Sequence, residues 1–152
     1  MFALLTLSLM GCTKDGGNTD DSGDTVDTVV SNPDGPQLSE PDACCYLHAT
    51  GDEVEYWTFS VNYNHPLGLS NVDRFTEGHR IEIMREGVVL ATAGSQPTCD
   101  NDQGICTGSF AAATYGVPCS AAGDHEFRFV LTDIDGNEGK IKVAGRKDAT
   151  CQ

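Results

Sequence analysis

Cys44 and Cys45 stand side by side, and Cys99, Cys106, Cys119 and Cys151 follow before the chain ends. Six cysteines in about 110 residues, the size of one small domain, constrain this fold more than any other feature. An even count in a domain this small reads as a disulfide framework formed in an oxidising compartment. Six cysteines allow fifteen connectivities, and excluding a strained Cys44–Cys45 vicinal bond still leaves most of them open. Cys99 and Cys106 bracket a short polar stretch and are expected to close a small loop on themselves. Cys44 and Cys45 then take Cys119 and Cys151, in either order. Neighbouring residues on a strand point to opposite faces, so adjacent cysteines can reach separate partners. The competing reading is a thiolate metal site from Cys44, Cys45 and His48. Structural zinc sites separate paired cysteines by two to four residues, and no such pair occurs.

The periodicity around these cysteines is that of strands. Residues 53–63 alternate, with Trp57, Phe59 and Val61 on one face and Tyr56, Thr58 and Ser60 on the other. Arg80–Ile83 repeats the pattern, Arg85-Glu86-Gly87 reads as a tight turn, and Val88–Ala93 returns as the hairpin partner. Gly94–Gly108 is expected to be a long loop carrying Cys99 and Cys106. His125–Thr132 alternates again, Asp135-Gly136-Asn137 turns the chain, and Lys140–Val143 closes a hairpin. Phe110–Tyr115 suits a short helix or a flat small-residue strand equally.

Composition changes near residue 43. Thr13–Asp42 is almost free of large apolar residues and carries eight acids and one lysine, half of the formal charge of −14. Such a stretch cannot bury enough apolar surface to offset its ordering entropy, so it is expected to be a disordered acidic tether spanning roughly 30 Å. The acidic balance argues against nucleic acid as a partner. Ahead of the tether, the apolar run from Phe2 to Met10 is too short for a membrane span, which needs about 20 residues, but fits a signal h-region. Leu9-Met10-Gly11-Cys12 resembles the lipobox of bacterial lipoproteins. The resemblance implies a signal peptide over 1–11, lipid on Cys12, and a membrane anchor. No Lys or Arg precedes the apolar run, so the start codon is expected a few residues upstream. Thr13 is not the Asp that retains enteric lipoproteins at the inner membrane, which points to the outer membrane of the cell envelope.

Trp57–Val61 followed by His65-Pro66-Leu67-Gly68-Leu69-Ser70-Asn71-Val72 resembles the early strand and corner of bacterial Ig-like domains. Phe127–Asn137 resembles their penultimate strand and turn. The resemblance covers residues 53–144 and lacks the Cys–Trp–Cys core of antibody domains. It implies an all-β fold, a single Ig-like or fibronectin-III-like antiparallel β-sandwich over 43–152, stapled by disulfides. Such domains serve as spacers, stalks or adhesive modules, and fold alone does not fix function.

Candidate chemistry is sparse. Asp133, Asp135 and Asn137 match the first three oxygen ligands of an EF-hand loop, but Glu138 stands where Gly is required and Ala144 where Glu is required. A plain hairpin turn is the expected reading; a weaker calcium site, helped by Asp100 or Asp102, is the alternative. His125-Glu126 opens like the zincin HExxH motif, but Phe129 replaces the second histidine and the stretch reads as a solvated strand edge. Glu53 and Glu55 share a strand face and read as surface acids. His48, His65, His79 and His125 are scattered, and neither a G-x-S-x-G elbow nor a phosphate-binding loop occurs. Tyr46, Tyr56, Tyr63 and Tyr115 are candidates for stacking on sugars. The expectation is a non-enzymatic, lipid-anchored envelope protein with a structural or interaction role. The alternative is a module binding a glycan or an envelope protein through the Gly94–Gly108 loop or the Asp133–Asn137 hairpin end. An aromatic strip on a sheet face would favour glycan binding, and a flat charged face a spacer.

Overall fold

Large apolar residues at alternate positions place Trp57, Phe59, Val61 and Tyr63 on one side of the strand Val54–Asn64, and all four are buried. The computed structural model describes residues 32–48, 54–72, 78–94 and 96–151. The expected signal peptide 1–11, Cys12, residues 13–31 of the tether and Glu53 lie outside the described residues. In chain order the strands are β1 (Gln37–His48), β2 (Val54–Asn64), β3 (Arg80–Arg85), β4 (Val88–Thr92), β5 (Thr98–Asp100) and β6 (Ile105–Ala111). A single-turn helix α1 (Ala112–Tyr115) and a 3₁₀ segment Cys119–Asp124 follow, then β7 (Glu126–Thr132), β8 (Glu138–Ala144) and β9 (Arg146–Lys147). They form two sheets, ordered β5-β6-β2-β1-β9 and β4-β3-β7-β8. This is an all-β sandwich stapled by three disulfides.

The core lies between the sheets and is dominated by aromatic rings. Trp57 meets Phe127 with ring centroids 4.5 Å apart, and Phe59 stands 5.0 Å from both Phe127 and Phe110. Tilted and edge-on pairs of this kind add to the stabilisation from buried area alone. The one polar atom in this stack, Nε1 of Trp57, donates to the carbonyl of Val117 at 2.7 Å, so its burial leaves no donor unsatisfied.

Four sequence expectations change. The described chain starts at Asn32, and β1 begins at Gln37, six residues ahead of the expected boundary at Ala43. Leu38 is buried in the core, and the side-chain amide of Gln37 donates to the carbonyls of Asn32 and Gly35, holding the entry turn. A single apolar residue is enough to recruit this polar stretch into the sheet. Gly94–Gly108 is not a long loop: β5 and β6 pair within it, with Cys99 opposite Cys106. The Asp100 carboxylate accepts from the Asp102 and Gln103 amides, and Gly104 turns back at φ +68°, a backbone conformation that suits glycine. Phe110–Tyr115 divides between the end of β6 and α1. The sandwich is also not wholly antiparallel, because β9 pairs parallel to β1, Cys44 opposite Arg146 and Cys45 opposite Lys147.

The disulfides are Cys44–Cys151, Cys45–Cys119 and Cys99–Cys106. They resolve the open order of the Cys44 and Cys45 pairs and replace the thiolate metal reading, since both sulfurs are covalently paired. Cys45 turns into the core and Cys44 toward the outer face, as neighbours on one strand must.

Loop entropy ranks the bonds. Cys45–Cys119 spans 74 residues and Cys99–Cys106 only 7. The chain-entropy model assigns them about 4 and about 2 kcal/mol respectively. Urea unfolding of the paired serine variants is therefore expected to show the larger loss for Cys45→Ser/Cys119→Ser. Equal losses would contradict a loop-entropy origin.

Candidate functional site

Two places gather the polar residues singled out in the sequence: the β7–β8 turn at one end of the sandwich, and the outer face of the β5-β6-β2-β1-β9 sheet.

At the turn, Asp133 is almost wholly buried and its carboxylate is surrounded by donors. Oδ1 accepts from the amides of Asp135 and Asn137 at 2.9 and 2.8 Å, and Oδ2 accepts from Asn137 Nδ2 at 2.9 Å. His65 Nε2 completes the shell at 3.1 Å, with both side chains sealed from solvent. On His65 the other ring nitrogen, Nδ1, accepts from the Leu67 amide at 3.1 Å. That bond assigns the proton to Nε2 and leaves neither nitrogen for general-base work. Burial by itself raises the Asp133 carboxyl, but hydrogen bonds from Asn137, from His65 and from the turn amides outweigh it and hold it below the usual carboxylate range. The pair staples the corner after β2, with its 3₁₀ segment Leu69–Asn71, to the β7–β8 hairpin. The Ile134 amide reinforces it by donating to the Asn71 carbonyl at 2.9 Å.

The three residues of the alternative calcium reading, Asp133, Asp135 and Asn137, here form the hairpin turn. Asp133 spends its oxygens inward, Asn137 turns its amide donor toward it, and Asp135 is exposed. Asn137 Oδ1 in turn accepts from Asn32. Asp100, the proposed helper, caps its own turn. Among the described residues no cluster of three or more His, Cys, Asp or Glu side chains is placed to hold a metal ion.

The other sequence candidates separate. His79 is buried, with Nδ1 accepting from the Thr132 amide. His125 is buried too, correcting the solvated-edge expectation, and its Nδ1 has no hydrogen-bond partner. Glu55 accepts from the Cys119 amide at 3.0 Å. Tyr63 is buried and donates to Asn101 Oδ1. Tyr115 packs edge-on against Phe110, and its hydroxyl takes the Gly94 amide.

Tyr46 and Tyr56 behave differently. They are direct partners across β1 and β2, half-buried on the outer face, with rings 6.4 Å apart and tilted by only 29°. His48 stands edge-on to Tyr56 at 5.8 Å. Two residues further along β2, about 7 Å away, a groove of about 700 Å³ begins. Thr58, Ser60, Thr98, Thr107 and Ser109 line its floor, and Arg146, Thr150 and Cys151 its wall. The Cys44–Cys151 bond brings that wall onto the sheet. Asp42 receives a two-pronged ion pair from Arg146, at 2.8 and 2.9 Å. The hydrogen bond to Asp42 raises the Arg146 guanidinium further above its already high value. The hydroxyls of Thr58 and Ser60 on β2 were visible in the sequence as one strand face; those of Thr107 and Ser109 on β6, and the arrival of Arg146 beside them, were not.

The opposite outer face is of another kind. Arg80 bridges Glu82 and Glu138 at 2.9 and 2.8 Å, Lys140 meets Glu138 at 2.7 Å, and Arg128 pairs with Glu82. Val130, flanked by Arg80 and Lys140 in register, is fully buried. No protein-family model matches this chain, and no curated protein or solved structure matches it.

The Asp133 staple has a pH signature. A carboxyl held low in the folded state contributes stability that is complete above its unfolded value, about 3.9, and lost as pH falls through the folded value. Asp133→Asn places an amide donor among donors, and is expected to cost about 1–3 kcal/mol at pH 7. The wild-type advantage should shrink as pH drops below about 4. Chemical denaturation of both proteins from pH 7 to pH 2 checks this; a gap independent of pH would refute the charged-acceptor role.

Proposed function

We propose that this chain is a lipid-anchored cell-envelope protein whose sandwich is a non-catalytic interaction module of Ig-like build. Cysteine use carries the reading. The three disulfides take six of the seven cysteines, and the remaining one is Cys12, in its lipobox setting. Three bonds in so small a domain suit an exported protein, and an odd cysteine then needs a separate role.

The Ig-like reading draws on strand order. One sheet runs β4-β3-β7-β8 and the other β5-β6-β2-β1, which is the division of C′-C-F-G against D-E-B-A in that architecture. Antibody domains join strands B and F by an inter-sheet disulfide; here Trp57 on β2 packs against Phe127 on β7, the strands in those places. An interaction role is favoured because His65 and Asp133, the one buried histidine–carboxylate pair among the described residues, are committed to holding two loops together. The described chain starts at Asn32 beside Asn137, so the tether reaches the sandwich at the end that bears this staple.

Expression of the full chain in a diderm bacterial host with an alkyne-tagged fatty acid tests the anchor. The wild-type protein is expected to take up label and to enter the detergent phase on cloud-point partition. Cys12→Ser should do neither. Undiminished labelling of the Cys12→Ser variant would end the lipoprotein reading.

A further inference from the structure

We infer that the outer face of the β5-β6-β2-β1-β9 sheet binds a neutral polysaccharide, with Tyr46 and Tyr56 as its stacking platform and the adjoining groove as its polar subsite. The inference deepens the interaction role proposed above and rests on it. Sugar rings have two chemistries: flat patches of C–H groups, and a rim of hydroxyls that donate and accept at once. This face supplies a counterpart to each, in register.

The platform comes first. Two of the four tyrosines are consumed by the core and by loop packing, but Tyr46 and Tyr56 lie side by side on the sheet with nearly parallel rings. Tyrosine is suited to this position because its ring offers an apolar body and its hydroxyl a polar tip. His48 extends the strip by one residue pair. From His48 to Asp42 along β1 is ~20 Å, long enough for several linked sugars and too open to enclose a small molecule.

The groove supplies the second counterpart. Its floor includes Ser60, Thr98 and Thr107, whose hydroxyls can serve as donor or acceptor as a sugar hydroxyl demands. Asp42 and Arg146 present planar acceptor and donor groups, and each neutralises the other. Asp148 also binds Arg146, at 2.9 Å, so the guanidinium has no uncompensated charge to offer an anion. The chain carries −14 overall, which repels acidic polymers at a distance. A neutral polyhydroxyl ligand meets no such barrier. The opposite sheet presents a charged ladder in place of an aromatic pair, so the two faces are chemically distinct.

The test is affinity electrophoresis of the full-length chain in detergent micelles, through gels containing dextran, mannan, galactan or amylose, with polygalacturonate and heparin as anionic comparators. At least one neutral polymer is expected to retard the protein. Tyr46→Ala and Tyr56→Ala should each weaken that retention about tenfold, the scale of a central aromatic contact. Thr107→Lys, at an exposed position on β6, should block the groove while leaving the thermal melt close to wild type, which keeps the test valid if a tyrosine variant unfolds. No retention by any neutral polymer, retention by the anionic polymers alone, or equal retention of wild type and Thr107→Lys would overturn the inference. So would an envelope protein that binds through Tyr46 and Tyr56 in place of any polysaccharide. Fatty-acid labelling of Cys12 is read separately, so the anchor proposal stands or falls independently.

Discussion

Two adjacent cysteines on one strand govern this molecule. Because successive side chains on β1 point to opposite faces, Cys45 reaches inward to Cys119 and Cys44 outward to Cys151. The inward bond ties the first strand to the 3₁₀ segment that closes the bottom of the core. The outward bond returns the C-terminal turn to the sheet where the chain began, spanning 107 residues. It lies beside β9, whose pairing with β1 is the one parallel pairing among the described residues. A one-residue slip in β1 would exchange the two sulfurs between faces, so the bonds also pin the register.

The two outer faces show how similar strands can serve different ends. On β3, β7 and β8 the outward residues are long and charged, and their stems cover Val130 while their heads pair with one another. Long side chains used this way act as an apolar cover with a hydrated rim. Glu82, itself buried, takes Arg80 and Arg128 together, so the ladder pairs a buried carboxylate as well as shielding Val130. On β2, β5 and β6 the outward residues at the groove are short hydroxyls, Thr58, Ser60, Thr98, Thr107 and Ser109, and short side chains leave a concave surface. The groove exists because Thr58, Ser60, Thr107 and Ser109 do not fill it and because Arg146 and Cys151 stand above it.

Much of the fold was legible because alternation is a direct consequence of sheet geometry. Trp57, Phe59, Val61, Phe127, Phe129 and Leu131 announce both central strands, and all are buried. The failures have local causes. Thr98–Asp100 is too short to show a period, so the β5–β6 hairpin read as a loop. Leu38 is one apolar residue in an acidic stretch, too little to alter its composition yet enough to anchor a strand. The Asp133–Asn137 turn has the composition of a cation loop, but composition does not report which way a carboxylate points. Of the candidate binding face, Tyr56 and the hydroxyls of Thr58 and Ser60 were visible as an alternating pattern, and Tyr46 as a tyrosine able to stack on sugars. Their joining to Arg146 was not, since it depends on a disulfide whose partner the spacing left open.

The same bond links the compartment to the surface. If Cys44 and Cys151 remain reduced, the turn carrying Asp148 and Thr150 keeps the short β9–β1 pairing, the exposed Arg146 pairs and the Asp148 amide on the Cys45 carbonyl at 3.2 Å. Ion pairs this exposed are weak restraints, whereas closing a loop of this length is worth about 4–5 kcal/mol in the entropy model. The core, held by Cys45–Cys119 and by the Trp57–Phe127 stack, does not depend on that turn. Reduction would therefore remove one wall of the groove before it threatened the sandwich. A surface built in this way is complete only where thiols are oxidised.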